Sequence, residues 1–359
     1  MIYFDYAATS IKRKEVLANV LENSDKFDGN PDSLHKYGRA AKKILENSRE
    51  KIANSLNTNP NNIIFTSGAS ESNNTILNFF RKKEIITSNI EHDSILNTID
   101  KENTLFLNTN KDGFVDIEEL KRKITPNTKL VSLIYVNNET GVIQPIKEIG
   151  EYLKEKDIWF HVDSVQAFGH IDVDVEEICC DSLSLSGHKI GGVNGFGVLY
   201  LRKNIDSFIK GGEQEKNRRA GTSFAIGAYT MAESIEKIVA EREKLKELKS
   251  YFIEKLKSTD FNYEINGDVK RSSDHILNIY FPNVKSEFLL TFLDMHGICI
   301  SVGSACRAGS VEASKVITNM YNENRAIHSV RFSFGFSNSK QEIDSTIEIL
   351  KKVRGINER

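Results

Sequence analysis

The sequence predicts an α/β protein, with a large domain on a mostly parallel seven-stranded sheet and a smaller α+β domain after it. Three observations carry that expectation. Strand-like and helix-like segments alternate from about residue 62 to 203, the pattern of a parallel sheet covered by helices. The run 129–136 is almost continuously apolar, as a strand buried on both faces must be. After residue 258 the alternation gives way to strand, helix, strand, strand and helix. The expected division is 13–245 for the large domain, with 1–12 and 246–359 forming the small one; a chain of 359 residues is long enough for both cores.

Taken in order, 62–67 (NIIFTS) reads as a strand and 69–80 as a helix. A strand at 85–90 leads to a helix at 92–100, and a strand at 104–109 to a helix at 116–124. The last of these carries a capping-box pattern, Asp116 with Glu119. The strand at 129–136 is followed by a helix at 146–156 and strands at 158–162, 182–186 and 197–201. Residues 225–258 read as a long amphipathic helical region whose charge run, EREKLKELKSYFIEKLK, is a solvated face with i,i+4 pairs. The small domain follows as strand 275–281, helix 286–296, strands 299–302 and 329–334, and helix 340–354.

Composition excludes several classes. A formal net charge of -2 and the lack of a basic stretch argue against nucleic-acid binding. The longest apolar runs are too short to span a bilayer, and MIYFDYAATS has no basic-then-apolar start, so a cytoplasmic protein without membrane attachment is expected. The four cysteines, Cys179, Cys180, Cys299 and Cys306, show no CxxC and no Cys/His spacing suited to zinc, so no metal is expected. Cys179 and Cys180 read as small core residues.

The central stretch is DSLSLSGHKIGGVNGFG, 181–197. Leu183 and Leu185 alternate into Ser186-Gly187-His188-Lys189, and four glycines follow within eight residues. A buried strand thus delivers one lysine to a turn nearly free of side chains. Partial desolvation lowers an amine's pKa and makes it a nucleophile, the property used in a Schiff base with pyridoxal phosphate; the alternative is a solvated lysine in a surface turn. Other polar clusters fall where strands end, the edge at which open α/β sheets bind ligands. Ser67-Gly68-Ala69-Ser70 suits a phosphate at a helix start, or is a plain serine cap. Asp163, with Gln166 close behind, could hold the proton on a pyridine nitrogen or cap a turn. His92 could stack on a planar ring or move protons, or be structural. Asn137-Asn138 could donate to a carboxylate or make a turn. GGEQEKNRRAGT, with Arg219 and Thr222, is either part of a site or a surface loop. GGVNGFG fits neither GxxxxGK[ST] nor GxGxxG, which argues against a nucleotide-binding loop.

Together these stretches resemble the cysteine desulfurases, within the class V aminotransferases of fold-type I pyridoxal-phosphate enzymes. The matching segments are FDYAATS, GNPDSLHKYGR, IIFTSGASESNN, IEHDSILNT, YVNNETGVIQPI, HVDSVQAFG, SGHKIGG, GGEQEKNRRAGT, VGSAC and SVRFSFG, in the family's order from about residue 2 to 335. The resemblance implies that Lys189 bonds the cofactor, Asp163 pairs with its ring nitrogen, Gln166 contacts its hydroxyl and His92 stacks on it and carries protons. It implies phosphate contacts from Ala69, Ser70, Ser186 and His188, and from Thr222 in the other subunit of a homodimer. Asn138 and Arg331 would bind the substrate carboxylate, Arg331 as a bidentate fork. Cys306 matches the cysteine that takes sulfur from L-cysteine as a persulfide and passes it to a sulfur-acceptor protein; Arg307 beside it would favour the thiolate. The same cofactor residues would serve a selenocysteine lyase or another class V aminotransferase or lyase, so Cys306 carries the specific reading. The chain departs from the family at Val193-Asn194, at Glu213, at Phe336 and in having no C-terminal extension past Arg359.

Overall fold

In the computed structural model, residues 1–303, 313–353 and 356 are described; Cys306 and Arg307 lie outside them. The described strands are β1 (Ile2–Tyr3), β2 (Ile63–Thr66), β3 (Glu84–Ser88), β4 (Thr104–Leu107), β5 (Thr128–Ile134) and β6 (Trp159–Asp163). They continue as β7 (Ser182–Ser186), β8 (Gly197–Leu201), β9 (Glu264–Ile265), β10 (Ile276–Tyr280), β11 (Ile298–Cys299) and β12 (Ser329–Ser333).

The seven-stranded sheet has the order β2-β8-β7-β6-β5-β3-β4. Only β8 runs antiparallel to its neighbours; β7, β6, β5, β3 and β4 pair in parallel. Side-chain alternation splits β5 and β8 between two cores, whereas β7 sends Leu183 and Leu185 into the main core and turns serines to its other face. In β8, Val198 and Tyr200 join the main core while Leu199 and Leu201 join a second one with Ile76 and Leu77 of the helix Ala69–Phe79 and Phe80 at its end. Both faces are covered, so strands such as β5 and β8 read as apolar runs, while β7 alternates with buried serines on its second face.

The long helical region is two helices, Ala225–Ala240 and Arg242–Lys257. At the break, the nearly buried Arg13 forks onto Glu241 at 2.7 and 2.9 Å, and Arg242 donates to Gly169 O at 2.7 Å. The charge run is not wholly solvated: Lys249 is 4% exposed and its Nζ donates to Ser272 Oγ and Ser273 O. The helix expected at 92–100 is only Asp93–Leu96. Beyond it, Thr98 and Asp100 spend their side chains on local backbone and neighbouring groups, which competes with helix propagation. Asp116 does cap Ile117–Lys123, but Glu119 turns to Asn108 and Lys123 instead of closing a capping box. Cys180 is buried as expected; Cys179 is half-exposed with φ 56°, at the end of Val175–Ile178, and is not a core residue. The sequence reading had no element for Lys14–Glu22 or Lys36–Ser55, although Leu45, Ser48 and Ile52 of the latter form its buried stripe.

The remaining strands make a three-stranded antiparallel sheet, β12-β10-β9, and a parallel pair, β1 with β11. The first residues thus lie across the later segments, with Asp5 bridged to Ser333 and Ser301 to Arg331. That crossing brings Ala7 and Arg331 to the carboxyl ends of the large sheet's strands.

Candidate active site

A cavity of about 550 Å³ lies where β2, β3, β5, β6 and β7 end. It is lined by Ala69, Ser70, His92, Asn138, Asp163, Gln166, Ser186, His188, Lys189 and Arg331, residues spread over most of the chain. Gly303, the last described residue before the segment holding Cys306, also lines it. Thr222 is exposed and stands apart from it.

Lys189 ends the 3₁₀ turn Gly187–Lys189 directly after β7. Its Nζ donates to Ala7 O at 2.7 Å and Ala8 O at 2.9 Å. Burial, reinforced by the Arg331 charge, lowers its pKa from 10.5 to about 8. The amine is therefore not that of a solvated lysine in a surface turn, and its lowered pKa leaves more of it in the neutral form that nucleophilic chemistry needs.

Asp163 closes β6 and is 3% exposed. Its Oδ1 accepts from Val165 N at 3.1 Å and its Oδ2 from Asn73 Nδ2 at 2.9 Å. Asn73 is fully buried and also donates to Ser94 Oγ, while its Oδ1 lies 3.0 Å from His161 Nε2. Because Asn73 Oδ1 can only accept, His161 Nε2 carries the hydrogen and Nδ1 takes one from Ser182 Oγ, 2.9 Å away. Burial pushes the His161 pKa down to about 3, so the ring is neutral. The sequence reading missed Asn73 and His161; the available signal was a polar residue on the apolar stripe of a helix and a histidine inside an apolar strand. Nearby, burial raises the Glu91 carboxyl to about 8, where Ser88 Oγ donates to it at 2.5 Å.

The start of the helix Ala69–Phe79 also lines the cavity. The helix Ala69–Phe79 is capped by Gly68 with no side-chain hydrogen bond, so its first N–H groups are not taken by a cap. No serine cap forms here. The close approach of this turn to β8 depends on Gly197, where a Cβ would sit 2.5 Å from Gly68 Cα. Glu71 does not oppose an anion freely: it accepts from Ser67 N and is forked by Arg219 at 2.9 and 3.1 Å. Burial works against its charge, but the Arg219 and Ser67 hydrogen bonds outweigh it and lower the pKa. His188, held 3.1 Å from Thr9 Oγ1, is lowered to about 4 by burial and by the Lys189 charge.

At the mouth, His92 Nδ1 accepts from Ser94 N at 3.1 Å, which leaves Nε2 as the ring's hydrogen-bearing nitrogen. Asn137 makes the turn, accepting from Glu139 N and Thr140 N, and Asn138 lines the cavity. Arg331 donates to Asn138 O at 2.8 Å and to Asp5 Oδ1 at 2.9 Å, and its buried Nε has no partner among the described residues.

Residues 2–346 match the family model for aminotransferase class-V. The chain belongs to that family. It is 40% identical over 361 residues to a Bacillus subtilis protein named putative cysteine desulfurase IscS 1, covering 95% of each chain. It is 39% identical to a Clostridium botulinum cysteine desulfurase IscS, covering 98% of this chain and 94% of that one. Among solved structures, a NifS-like protein from Rickettsia africae superimposes with a TM-score of 0.90 at 34% identity, covering 98% and 99% of the two chains. A structure described as SspA in complex with cysteine gives a TM-score of 0.80 at 31% identity, covering 93% and 99%. The family is one of pyridoxal-phosphate enzymes, and the donor set fits that cofactor: a buried carboxylate for a protonated ring nitrogen, an uncapped helix start for the phosphate and an amine for the aldehyde.

Proposed function

We propose that this chain is a pyridoxal-phosphate-dependent cysteine desulfurase that converts L-cysteine to L-alanine and leaves a persulfide on Cys306. The observation that carries the reading is one cavity holding the Lys189 amine, the Asp163 carboxylate and the uncapped start of Ala69–Phe79. Gly303, three residues before Cys306, lines the same cavity. The relatives' names supply the substrate class.

When bound, pyridoxal phosphate supplies an electron sink for charge developing at the substrate's α-carbon. Asp163 would hold the proton on the ring nitrogen, with Asn73 fixing the carboxylate. Gln166 would donate to the ring hydroxyl. Ala69, Ser70, Ser186 and His188 would hold the phosphate, and Thr222 would reach that of a second copy in a homodimer. Asn138 and Arg331 would bind the substrate carboxylate. Lys189 Nζ would take the α-proton, and His92, through Nε2, would carry a proton at the ring face. The Cys306 thiolate attacks the substrate sulfur; the S–S bond forms as the C–S bond breaks, and a proton goes to the carbon to give alanine. The persulfide then passes to a sulfur-acceptor protein in the cytoplasm. The chain would divide into a larger unit, 13–245, and a smaller one of 1–12 with 246–359, which carries Cys306.

The purified protein, loaded with pyridoxal phosphate and given L-cysteine without any keto acid, should form alanine and gain one sulfur on the Cys306 peptide by mass spectrometry. Alanine formation that persists unchanged in Cys306→Ser, or that requires a keto acid, would defeat the reading. The first result favours a selenocysteine lyase and the second an aminotransferase.

A further inference from the structure

Gln166 is held from the smaller, C-terminal part of the chain. It is 2% exposed and lines the cavity. Its Nε2 donates to Ala7 O at 2.8 Å; a carbonyl only accepts, so the amide nitrogen is fixed at that end. Its Oε1 lies 3.0 Å from His275 Nε2. An amide oxygen also only accepts, so His275 Nε2 carries a hydrogen. Burial keeps the His275 ring neutral, which leaves Nδ1 bare, and Ser273 Oγ at 2.5 Å donates into it. His275 and Ser273 are each 1% exposed, out of reach of bulk solvent.

The segment bearing them is anchored twice more. Lys249 Nζ donates to Ser273 O at 2.8 Å, and His170 stacks on His275 with centroids 3.5 Å apart and planes 7° from parallel. One directed chain of hydrogen bonds therefore runs from Ser273 through His275 and Gln166 to Ala7 O. The same oxygen accepts from Lys189 Nζ at 2.7 Å.

We propose that His275 is a positioning residue: by donating from Nε2 to Gln166 Oε1, it fixes the amide so that the second Gln166 N–H faces the cavity as a donor for the cofactor's ring hydroxyl. The inference rests on the pyridoxal-phosphate reading above. Without the donor at position 275, Oε1 becomes a buried acceptor with no partner, and the amide turns towards the cavity to find one. The N–H that should meet the ring hydroxyl is then replaced by a second acceptor.

Two measurements test this. In the cofactor-free protein labelled with ¹⁵N-histidine, the resonance lost in His275→Phe should show the Nε2–H tautomer. Equilibrium titration with pyridoxal phosphate should then show binding about tenfold weaker in His275→Phe than in wild type and weaker, by less, in Ser273→Ala. The pH midpoint of the bound cofactor's visible absorption should move in both. In the Gln166→Ala background, His275→Phe should cost nothing more, because it acts through that amide. An Nδ1–H tautomer at His275, or an equal loss with and without Gln166→Ala, would overturn the proposal. If His275→Phe does not fold, Ser273→Ala alone and combined with Gln166→Ala decides by the same criterion, with His275 assigned by elimination among the eight histidines. Wild-type protein that takes up no pyridoxal phosphate would refute the functional reading, while the tautomer still judges the hydrogen-bond chain.

Discussion

Lys189 should cost the folded protein stability in a way that pH exposes. In the fold its pKa is about 8 against 10.5 in an exposed chain, chiefly because burial disfavours the ammonium. At pH 7 both states are protonated, and the displacement corresponds to about 3 kcal/mol of destabilisation, since one pKa unit is about 1.4 kcal/mol. The unfolded chain binds this proton more tightly, so stability rises with pH between about 8 and 10.5. By pH 9.5 about 2 kcal/mol of the penalty should be relieved. Lys189→Met keeps the bulk and removes the titration, while the lost hydrogen bonds to Ala7 O and Ala8 O do not depend on pH. Urea unfolding of cofactor-free wild type and Lys189→Met at pH 7 and 9.5 isolates the effect as a difference of differences, in which every other lysine cancels. Wild type should gain about 2 kcal/mol on the variant over that interval. A gap between the two proteins that is the same at both pH values would refute the buried, weakly basic amine, and with it the physical reason for its nucleophilicity.

Three further outcomes follow from the geometry. Glu215→Ala should destabilise the protein by about 3 kcal/mol, read as a lower urea midpoint. It takes away the buried carboxylate that pairs with the Arg49 guanidinium at 2.6 and 2.9 Å and leaves that charge only the half-exposed Glu46 and Ile63 O. Gly197→Ala should weaken pyridoxal-phosphate binding at least tenfold with a smaller effect on kcat, because the new Cβ would meet Gly68 at 2.5 Å and displace the helix start. Equal affinity would show that the turn does not hold the phosphate. Asn73→Leu should lower stability by about 1–3 kcal/mol by taking the acceptor from His161 Nε2 and a donor from the buried Asp163 carboxylate, and should reduce kcat through the loosened Asp163; an unchanged kcat would mean that Asp163 is positioned by Val165 N alone.

The sequence by itself determined the layered α/β architecture, because strands such as β5 and β8, apolar on both faces, stand out between helix-like segments. It also determined which residue types gather at the strand ends: Lys189 after β7, Asp163 at the end of β6 and His92 after β3 follow from their positions beside those runs. Helices whose buried stripe is mixed with polar residues, such as Lys36–Ser55, escaped notice because their apolar signal is diluted. Only the tertiary structure decided that Asn73 and His161 brace Asp163, that Ala7 O receives both Lys189 and Gln166, and that His275 reaches Gln166 over a separation of 109 residues. These are hydrogen bonds between groups distant in sequence, and their direction depends on which atom faces which. Residue spacing carries periodicity and local capping, whereas the pairing of buried donors with acceptors exists only once the chain has closed on itself.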